Sequence, residues 1–452
     1  MDYNSLSTES FETDSFRITL NKRGENGYVK QRSPVVYGIY SEIETESSLL
    51  QFNLNNEIFR AEGRDKDWAS DLEYLKRTIG NDWVYYSTGG YAGSWETLTD
   101  ASFPSPVSFR VPEPYSEVYK TTGEYYLPNL QYDSNAIIGG SPFESSAVKR
   151  IVDNWYEELS EIRRVSEKLP SQFRDFLTSV IENSPEQLGK KAGELFTTCG
   201  GRMSVLPPDS RHVDYGIIPV NISRGCLYKC RFCTVKNSSV FSSFSKDRIT
   251  DQLDELATSF GENLINYNSI FLGEHDALNA EDEIILFAIT QALKRLKLDS
   301  SYMHGRNVFL FGSVSALMKK DEDFFNKLNN CGLNVFINLG LESTDQKTLD
   351  YIGKPLKSSQ VIECFELMQL LNSRFEHIEC TANFLFDEKL PAGHIPAFLD
   401  LVGGTTGTPQ NKGTVYLSPL CLTRPSARTL YEFKQLKTFS NYPTYLYLIQ
   451  RA

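Results

Sequence analysis

Between residues 215 and 438 the chain alternates, six times over, between a short β-branched or apolar run and a longer segment of helical periodicity. The runs are Tyr215–Ile222, Ser269–Gly273, Asn307–Ser313, Asn334–Leu341, His377–Phe386 and Thr414–Cys421, and the helical segments lie near 246–260, 281–297, 321–330, 359–372, 394–401 and 426–438. Strands separated by helices rejoin one sheet in parallel through right-handed crossovers, so this region is expected to be α/β. Six units are two short of a closed eight-fold barrel, which leaves a partial barrel or a doubly wound sheet. In either, chemistry gathers at the carboxyl ends of the strands.

The first half has a different composition. All four tryptophans (Trp68, Trp83, Trp95 and Trp155) precede residue 160, whereas all eight cysteines follow residue 198. Two domains are expected: an α+β accessory domain over 1–205 and the strand-helix region over 206–452. Short β-like runs, Phe16–Leu20 and Val35–Tyr40, are followed by an expected amphipathic helix with Trp68, Leu72, Leu75 and Ile79 on one face. An aromatic, glycine-containing stretch, Trp83–Trp95, reads either as core or as a substrate-facing wall. Pro104, Pro106, Pro112 and Pro114 mark an extended connection. From Glu144, apolar residues step by three or four through Val148, Ile151, Trp155, Leu159 and Ile162, and Pro170 ends the run; shorter helices are expected to about Phe196.

Composition excludes several classes. With 40% hydrophobic and 23% charged residues, the chain is neither disordered nor fibrous. It contains no run of about 18 apolar residues, so no membrane span is expected. Its first 14 residues lack the basic-then-apolar layout of a secretion signal, which points to the cytoplasm. A net charge of -12 gives no general attraction for phosphate backbones, and nucleic acid is not indicated as a partner.

Three cysteines fall within eight residues, in Ser223-Arg-Gly-Cys226-Leu-Tyr-Lys-Cys230-Arg-Phe-Cys233, directly after the first strand. Such spacing suits a metal site in a reducing compartment better than a disulfide framework. Thiolates suit zinc or iron-sulfur centres. Structural zinc needs a fourth protein ligand, and His212, 14 residues upstream, is the nearest histidine before the loop. A cubane cluster held by three cysteines instead leaves one iron for a small molecule. Of the remaining cysteines, Cys331, Cys364 and Cys380 fall in apolar stretches and are expected to pack as small hydrophobes, while Cys199 and Cys421 stand singly.

The loop resembles the CxxxCxxC signature of the radical S-adenosylmethionine (SAM) superfamily, with Phe232 as the aromatic before the third cysteine. Phe271-Leu-Gly-Glu-His-Asp-Ala-Leu278 is similar to that family's second-strand element, which holds the amino group of SAM. Gly340-Leu-Glu-Ser-Thr-Asp-Gln-Lys-Thr-Leu-Asp-Tyr-Ile-Gly-Lys-Pro355 resembles the fourth-strand end of the branch with methylthiotransferases, Elongator-type enzymes and anaerobic coproporphyrinogen oxidases. The resemblance spans about 206–440 and implies a partial (β/α)6 TIM-like barrel.

It further implies that Cys226, Cys230 and Cys233 hold one 4Fe-4S cluster, whose open iron chelates SAM. An electron from a donor such as flavodoxin or ferredoxin would then release a 5'-deoxyadenosyl radical that abstracts hydrogen from an unidentified substrate. Phe232, Gly273, Glu274, Asp276, Ser313, Glu342, Ser343 and Asn383 are carried over as cofactor-binding, with Glu274 or Asp276 on the SAM amine. His275 stands where many relatives have glycine, and reads either as a packed histidine or as a catalytic proton donor or acceptor. Cobalamin is not expected: Asp209-Ser-Arg-His-Val-Asp-Tyr-Gly216 has the wrong spacing for the DxHxxG motif of cobalamin-dependent relatives. Methylthiotransferase activity is not expected either, since the first 198 residues lack cysteine. The chain ends at Ala452, so no auxiliary-cluster tail is expected. Two alternatives stand beside this reading: a methyl or group transferase with a partner protein, and a zinc-binding interaction module.

Overall fold

A computed structural model of the chain describes residues 3–24, 26, 38–68, 74–86, 125–126, 143, 145–201, 217–233, 240–273, 275–403, 412–419 and 427–446. Among them lie two large sheets. The first is an antiparallel meander whose eight strands pair in chain order: β1 (Glu9–Glu12), β2 (Phe16–Arg23), β3 (Ile39–Thr45), β4 (Ser48–Phe52), β5 (Ile58–Gly63), β6 (Tyr74–Arg77), β7 (Trp83–Tyr86) and β8 (Tyr125–Tyr126). Three helices follow: α1 (Ser146–Arg164), α2 (Ser171–Glu182) and α3 (Pro185–Cys199).

The apolar stripe of α1, through Val148, Ile151, Trp155 and Leu159, packs with Phe173, Phe176 and Leu177 of α2 on Ile18, Ile43, Leu50 and Leu75 of the sheet. Trp68 and Trp83 are buried in the same core, so Trp83 packs; the rest of the aromatic stretch beyond Tyr86 and the prolines at 104–114 lie outside the described residues. Ser184 caps α3 by accepting from the Gln187 N–H at 3.2 Å, with Pro185 in the first helical position.

The helix expected over Trp68–Ile79 is corrected here. Residues 74–77 are strand β6, paired antiparallel with β5 and β7. Tyr74 and Leu75 are neighbours that are both fully buried, so the strand is covered on both faces. Such a strand loses the period-2 alternation that would have separated it from a helix. Trp68 lies across Gly63, where a Cβ would stand 2.3 Å from its ring.

The second sheet is wholly parallel. Its strands are β9 (Ile217–Val220), β12 (Ser269–Leu272), β13 (Asn307–Gly312), β14 (Asn334–Glu342), β15 (Ile378–Phe386), β16 (Val415–Pro419) and β17 (Thr444–Leu446), adjacent in chain order. Between β9 and β12, the short pair β10 (Ser223–Arg224) and β11 (Ser242–Ser243) brackets the cysteine segment. The crossovers carry α4 (Lys246–Phe260), α5 (Asp282–Arg295), α6 (Val314–Leu317), α7 (Glu322–Asn329), α8 (Gln346–Ile352), α9 (Ser358–Arg374), α10 (His394–Val402) and α11 (Ala427–Phe439). Chain-order adjacency without reversal is the partial barrel and not the doubly wound sheet. The six expected strands are present, and β17 adds a short seventh.

Alternate residues divide the barrel faces. Ile218, Val220, Ile270, Leu272, Val308, Leu310, Val335, Ile337 and Leu339 join the helices in the main core. On the other face, Ile217, Phe271, Phe309, Phe311 and Phe336 form a separate aromatic cluster, with Phe309 and Phe336 stacked at 5.1 Å. Register places Asn338 beside Phe311, and Asn383 between Gly340 and Tyr416, so that face turns polar toward β14–β16.

The two sheets meet along a polar seam. Asn266 accepts from the Ile39 N–H at 2.7 Å and donates to the Ile39 carbonyl at 2.8 Å, as a neighbouring strand would. Gly38, at φ +70, permits this approach, since a Cβ there would lie 2.6 Å from Asn266 Oδ1. Asn55 Nδ2 donates to the Phe260 carbonyl at 2.9 Å, and the Tyr302 hydroxyl donates to the Gly24 carbonyl at 2.9 Å. Among the described residues, no helix is long and apolar enough to cross a membrane.

Candidate functional site

The cysteine loop leaves β9 at the carboxyl rim of the barrel and is pinned from two sides. The Tyr228 hydroxyl is bonded to Ser315 Oγ and accepts from the Ser315 N–H at 3.2 Å, tying the loop to α6. The Arg231 N–H donates to the Ile352 carbonyl at 2.8 Å, tying it to the end of α8. Gly353 ends α8 at φ +67, and a Cβ there would meet the Arg231 side chain at 2.9 Å. Gly225, at φ +78, turns the chain into the loop.

Cys230 is buried, and Cys226 and Cys233 are half-buried. Burial pushes the Cys230 thiol up to about 11, opposed by the Lys354 ammonium and reinforced by Glu342, Cys226 and Cys233. Burial also raises Cys226, opposed by the Tyr228 N–H, which reaches its sulfur at 3.5 Å, and reinforced by Asp276. The sulfurs of Cys226 and Cys230 therefore feel each other and that of Cys233 electrostatically, and a bound metal would favour the thiolates of Cys226 and Cys230. Cys199, Cys364 and Cys380 are buried and Cys331 is half-buried; Cys421 lies outside the described residues.

Beside the loop, Gly273 ends β12 at φ +75, and its N–H donates to the Val220 carbonyl at 3.0 Å. A Cβ at this position would stand 2.8 Å from that of Ala277, so glycine lets the turn close. That turn carries Asp276, which is 1% exposed. One carboxylate oxygen accepts from the Ser313 N–H at 2.8 Å, and the other is buried without a hydrogen-bond partner among the described residues. Burial pushes the Asp276 carboxyl up to about 6, against the pull of Ser313, the Lys354 ammonium and the Leu227 N–H. Ser313 also caps α6, accepting from the Ala316 N–H at 3.2 Å. His275 is half-buried on the same turn, Phe232 packs partly buried on the barrel core, and Glu274 lies outside the described residues.

On β14 the strand bulges between Gly340 and Glu342, and Glu342 takes φ +69, a conformation uncommon for a residue with a Cβ. Its carboxylate is met at 3.2 Å by the buried Lys354 ammonium, which also donates to the Gly340 carbonyl at 2.6 Å and lies 5.5 Å from the Tyr228 ring centre. Burial acts to lower the Lys354 pKa, but Glu342 and Cys230 outweigh it and the amine stays protonated. Ser343 is fully buried and bonded to His394 Nδ1 at 2.8 Å; since His394 Nε2 faces the Leu385 carbonyl at 2.7 Å, the serine hydroxyl is the donor to Nδ1. Burial lowers the His394 pKa, in keeping with a neutral ring. Asn383 points a buried amide oxygen, without a described partner, from the inner face of β15.

Cysteines, Asp276, Ser313, Glu342 and Lys354 thus gather at one rim, whereas Ser343 is turned into the supporting network. Sequence reasoning missed Tyr228, Arg231, Lys354 and His394. Only Lys354 left a trace, as a charge between a helix-ending glycine and Pro355.

Residues 220–383 match the family model of the Radical SAM superfamily. That stretch carries a radical SAM domain. No curated protein matches it. Several solved structures match parts of the chain. Streptococcus suis SuiB bound to S-adenosylmethionine is 12% identical over 66% of this chain and 62% of that one, with a TM-score of 0.34. Methylornithine synthase (PylB) is 11% identical over 64% and 74%, at 0.33. Cobalamin-dependent S-adenosylmethionine radical enzyme OxsB with aqua-cobalamin bound is 18% identical over 41% and 26%, at 0.32, so this chain spans about a quarter of OxsB. Proteins of that superfamily carry a 4Fe-4S cluster, use SAM and generally need a one-electron reductant.

The donors at the rim fit those groups. Among the described residues, no three Cys, His, Asp or Glu side chains are placed to share one ion. A cubane asks for less convergence, because each thiolate binds a different iron. The buried, half-satisfied Asp276 carboxylate provides a place for a cationic amine.

Proposed function

We propose that this protein is a single-cluster radical SAM enzyme in which Cys226, Cys230 and Cys233 hold the cluster and Asp276 receives the SAM amine. The observation that carries the reading is the unpartnered Asp276 oxygen, buried one turn from the cysteine loop. A buried carboxylate with one empty acceptor site gains most from a cation that brings N–H donors. Cluster and SAM together would supply reductive cleavage to a 5'-deoxyadenosyl radical, which takes hydrogen from the substrate.

The chain's own residues divide the remaining work. Ser313 holds Asp276 through its N–H. Lys354 holds Glu342 at the bulge, leaving that carboxylate as the candidate for ribose hydroxyls, with Asn383 as a further acceptor across the inner face. Ser343 and His394 fix the strand end behind them. The accessory domain, 1–205, is the proposed determinant of substrate choice, and flavodoxin or ferredoxin the proposed donor.

Anaerobically purified, reduced protein incubated with SAM should release 5'-deoxyadenosine. S-adenosylhomocysteine appearing alongside would move the assignment to methyl transfer. Colourless protein with zinc and no iron would overturn it.

A further inference from the structure

At the opposite end of the barrel from the cysteine loop, the two sheets enclose a cavity of about 440 Å³. Its position follows from its lining: Ile217 opens β9, while Tyr267 and Met303 precede β12 and β13, so it lies under the amino ends of the strands. The accessory sheet supplies the other wall through Glu57, Phe59 and Arg77. A volume in this range is that of a small-molecule site.

Arg77 is the unusual group. It is nine-tenths buried at the end of β6. Its Nε donates to Asn81 at 2.9 Å, and one terminal nitrogen reaches the Ile58 carbonyl only at 3.5 Å. Nη2 makes no hydrogen bond among the described residues and, since Arg77 lines the cavity, is available from it. The nearby Glu57 carboxylate is already occupied, by Lys191 at 2.7 Å and Asn53 at 3.1 Å, and Lys191 also donates to Asn183. Burial depresses the Arg77 pKa, which marks a cation short of compensation. Phe59, Phe260 and Tyr267 add flat apolar area.

We infer that this cavity binds a small organic oxyanion, its phosphate or carboxylate head on Arg77 and its apolar body against Phe59, Phe260 and Tyr267. A guanidinium edge pairs with such a head through parallel N–H donors. The ligand would bridge both sheets far from the SAM site, so its binding is independent of the cluster chemistry.

The test is titration calorimetry and thermal unfolding of the full-length, cluster-loaded protein with phenyl phosphate, benzoate and phenol at matched ionic strength. Saturable binding of phenyl phosphate or benzoate, with phenol at least about tenfold weaker, is expected. The anion that binds more tightly identifies the head group. Arg77→Gln should weaken binding about tenfold or more. Because Arg77 is buried, Ser259→Asp at the exposed rim serves as a second variant, expected to weaken the anions but not phenol. Anions that bind no better than phenol, or bind folded Arg77→Gln as tightly as the parent, would overturn the assignment.

Discussion

Two carboxylates flank the cysteine loop, and their surroundings differ. On the β14 side, Glu342 is matched by the buried Lys354 ammonium, which is itself anchored to a backbone carbonyl. On the β12 side, Asp276 is still more deeply buried, and one oxygen accepts from the Ser313 N–H while the other has no hydrogen-bond partner among the described residues. A paired buried charge is part of the scaffold, whereas an unpaired one is a standing cost that a ligand can remove. The difference teaches which carboxylate is built to hold the rim and which to receive a cation.

Both sides presuppose a cluster between them. The largest expected effect is therefore that of Cys230→Ala, which removes the most buried of the three thiols. Iron should fall to background and SAM cleavage should cease. A variant that keeps its iron and its cleavage would remove the shared centre on which the comparison rests.

The next test separates the carboxylates by the sign of their effect on stability. Lys354→Met leaves Glu342 buried and unneutralised, and should cost about 3–5 kcal/mol in denaturant unfolding of metal-free protein. Asp276→Asn should do the reverse, because an amide still accepts from Ser313 while shedding a buried charge. The Asp276 carboxyl lies at about 6 against 3.8 for the free group, so the folded state holds the proton more tightly. Stability is thus lost as pH rises between these values, and the full deficit, about 3 kcal/mol, applies above them. Asp276→Asn should exceed the parent in stability at pH 7.5, with the gap closing as pH falls toward 5. The same variant should weaken SAM binding about 10- to 100-fold, measured calorimetrically on cluster-loaded protein. Equal stability at pH 7.5, with unchanged SAM affinity, would erase the distinction between the two sides.

How far this could be read in advance depended on the range of the interactions. Helical periodicity is local, and it located α4 at 246–260 and α5, α7, α9, α10 and α11 to within two residues at either end. β17 escaped because three residues after Pro443 cannot display a period. β6 was misread because Tyr74 and Leu75 are buried on opposite faces. At the site, the cysteine spacing and the acidic turn were legible as motifs, but their stabilising partners were not. Lys354 meets Glu342 across 12 residues and Tyr228 meets Ser315 across 87, pairings created only when the strands align. The charge imbalance between Asp276 and Glu342 is tertiary in the same sense: nothing in two acidic residues near strand ends announces which will find a lysine.

The smallest expected effect concerns His275, which shares the turn with Asp276 between Gly273 and the buried Ala277. If the ring only packs, His275→Gly should disturb the turn and thereby the Asp276 position, so SAM affinity and cleavage rate should fall together. If it exchanges a proton in the pocket, affinity should stay within about twofold while the rate of SAM cleavage falls about tenfold, below the full range for general acid-base catalysis because the cofactor carries the main step. Iron content and SAM affinity, measured beside 5'-deoxyadenosine release across pH 6 to 8, separate these outcomes. A rate that loses its dependence on pH near the imidazole range assigns His275 a chemical role on the Asp276 side, where the unmatched carboxylate already places the ligand. Unchanged affinity, rate and pH profile would make the histidine a spectator of that turn and leave Asp276 as its functional residue.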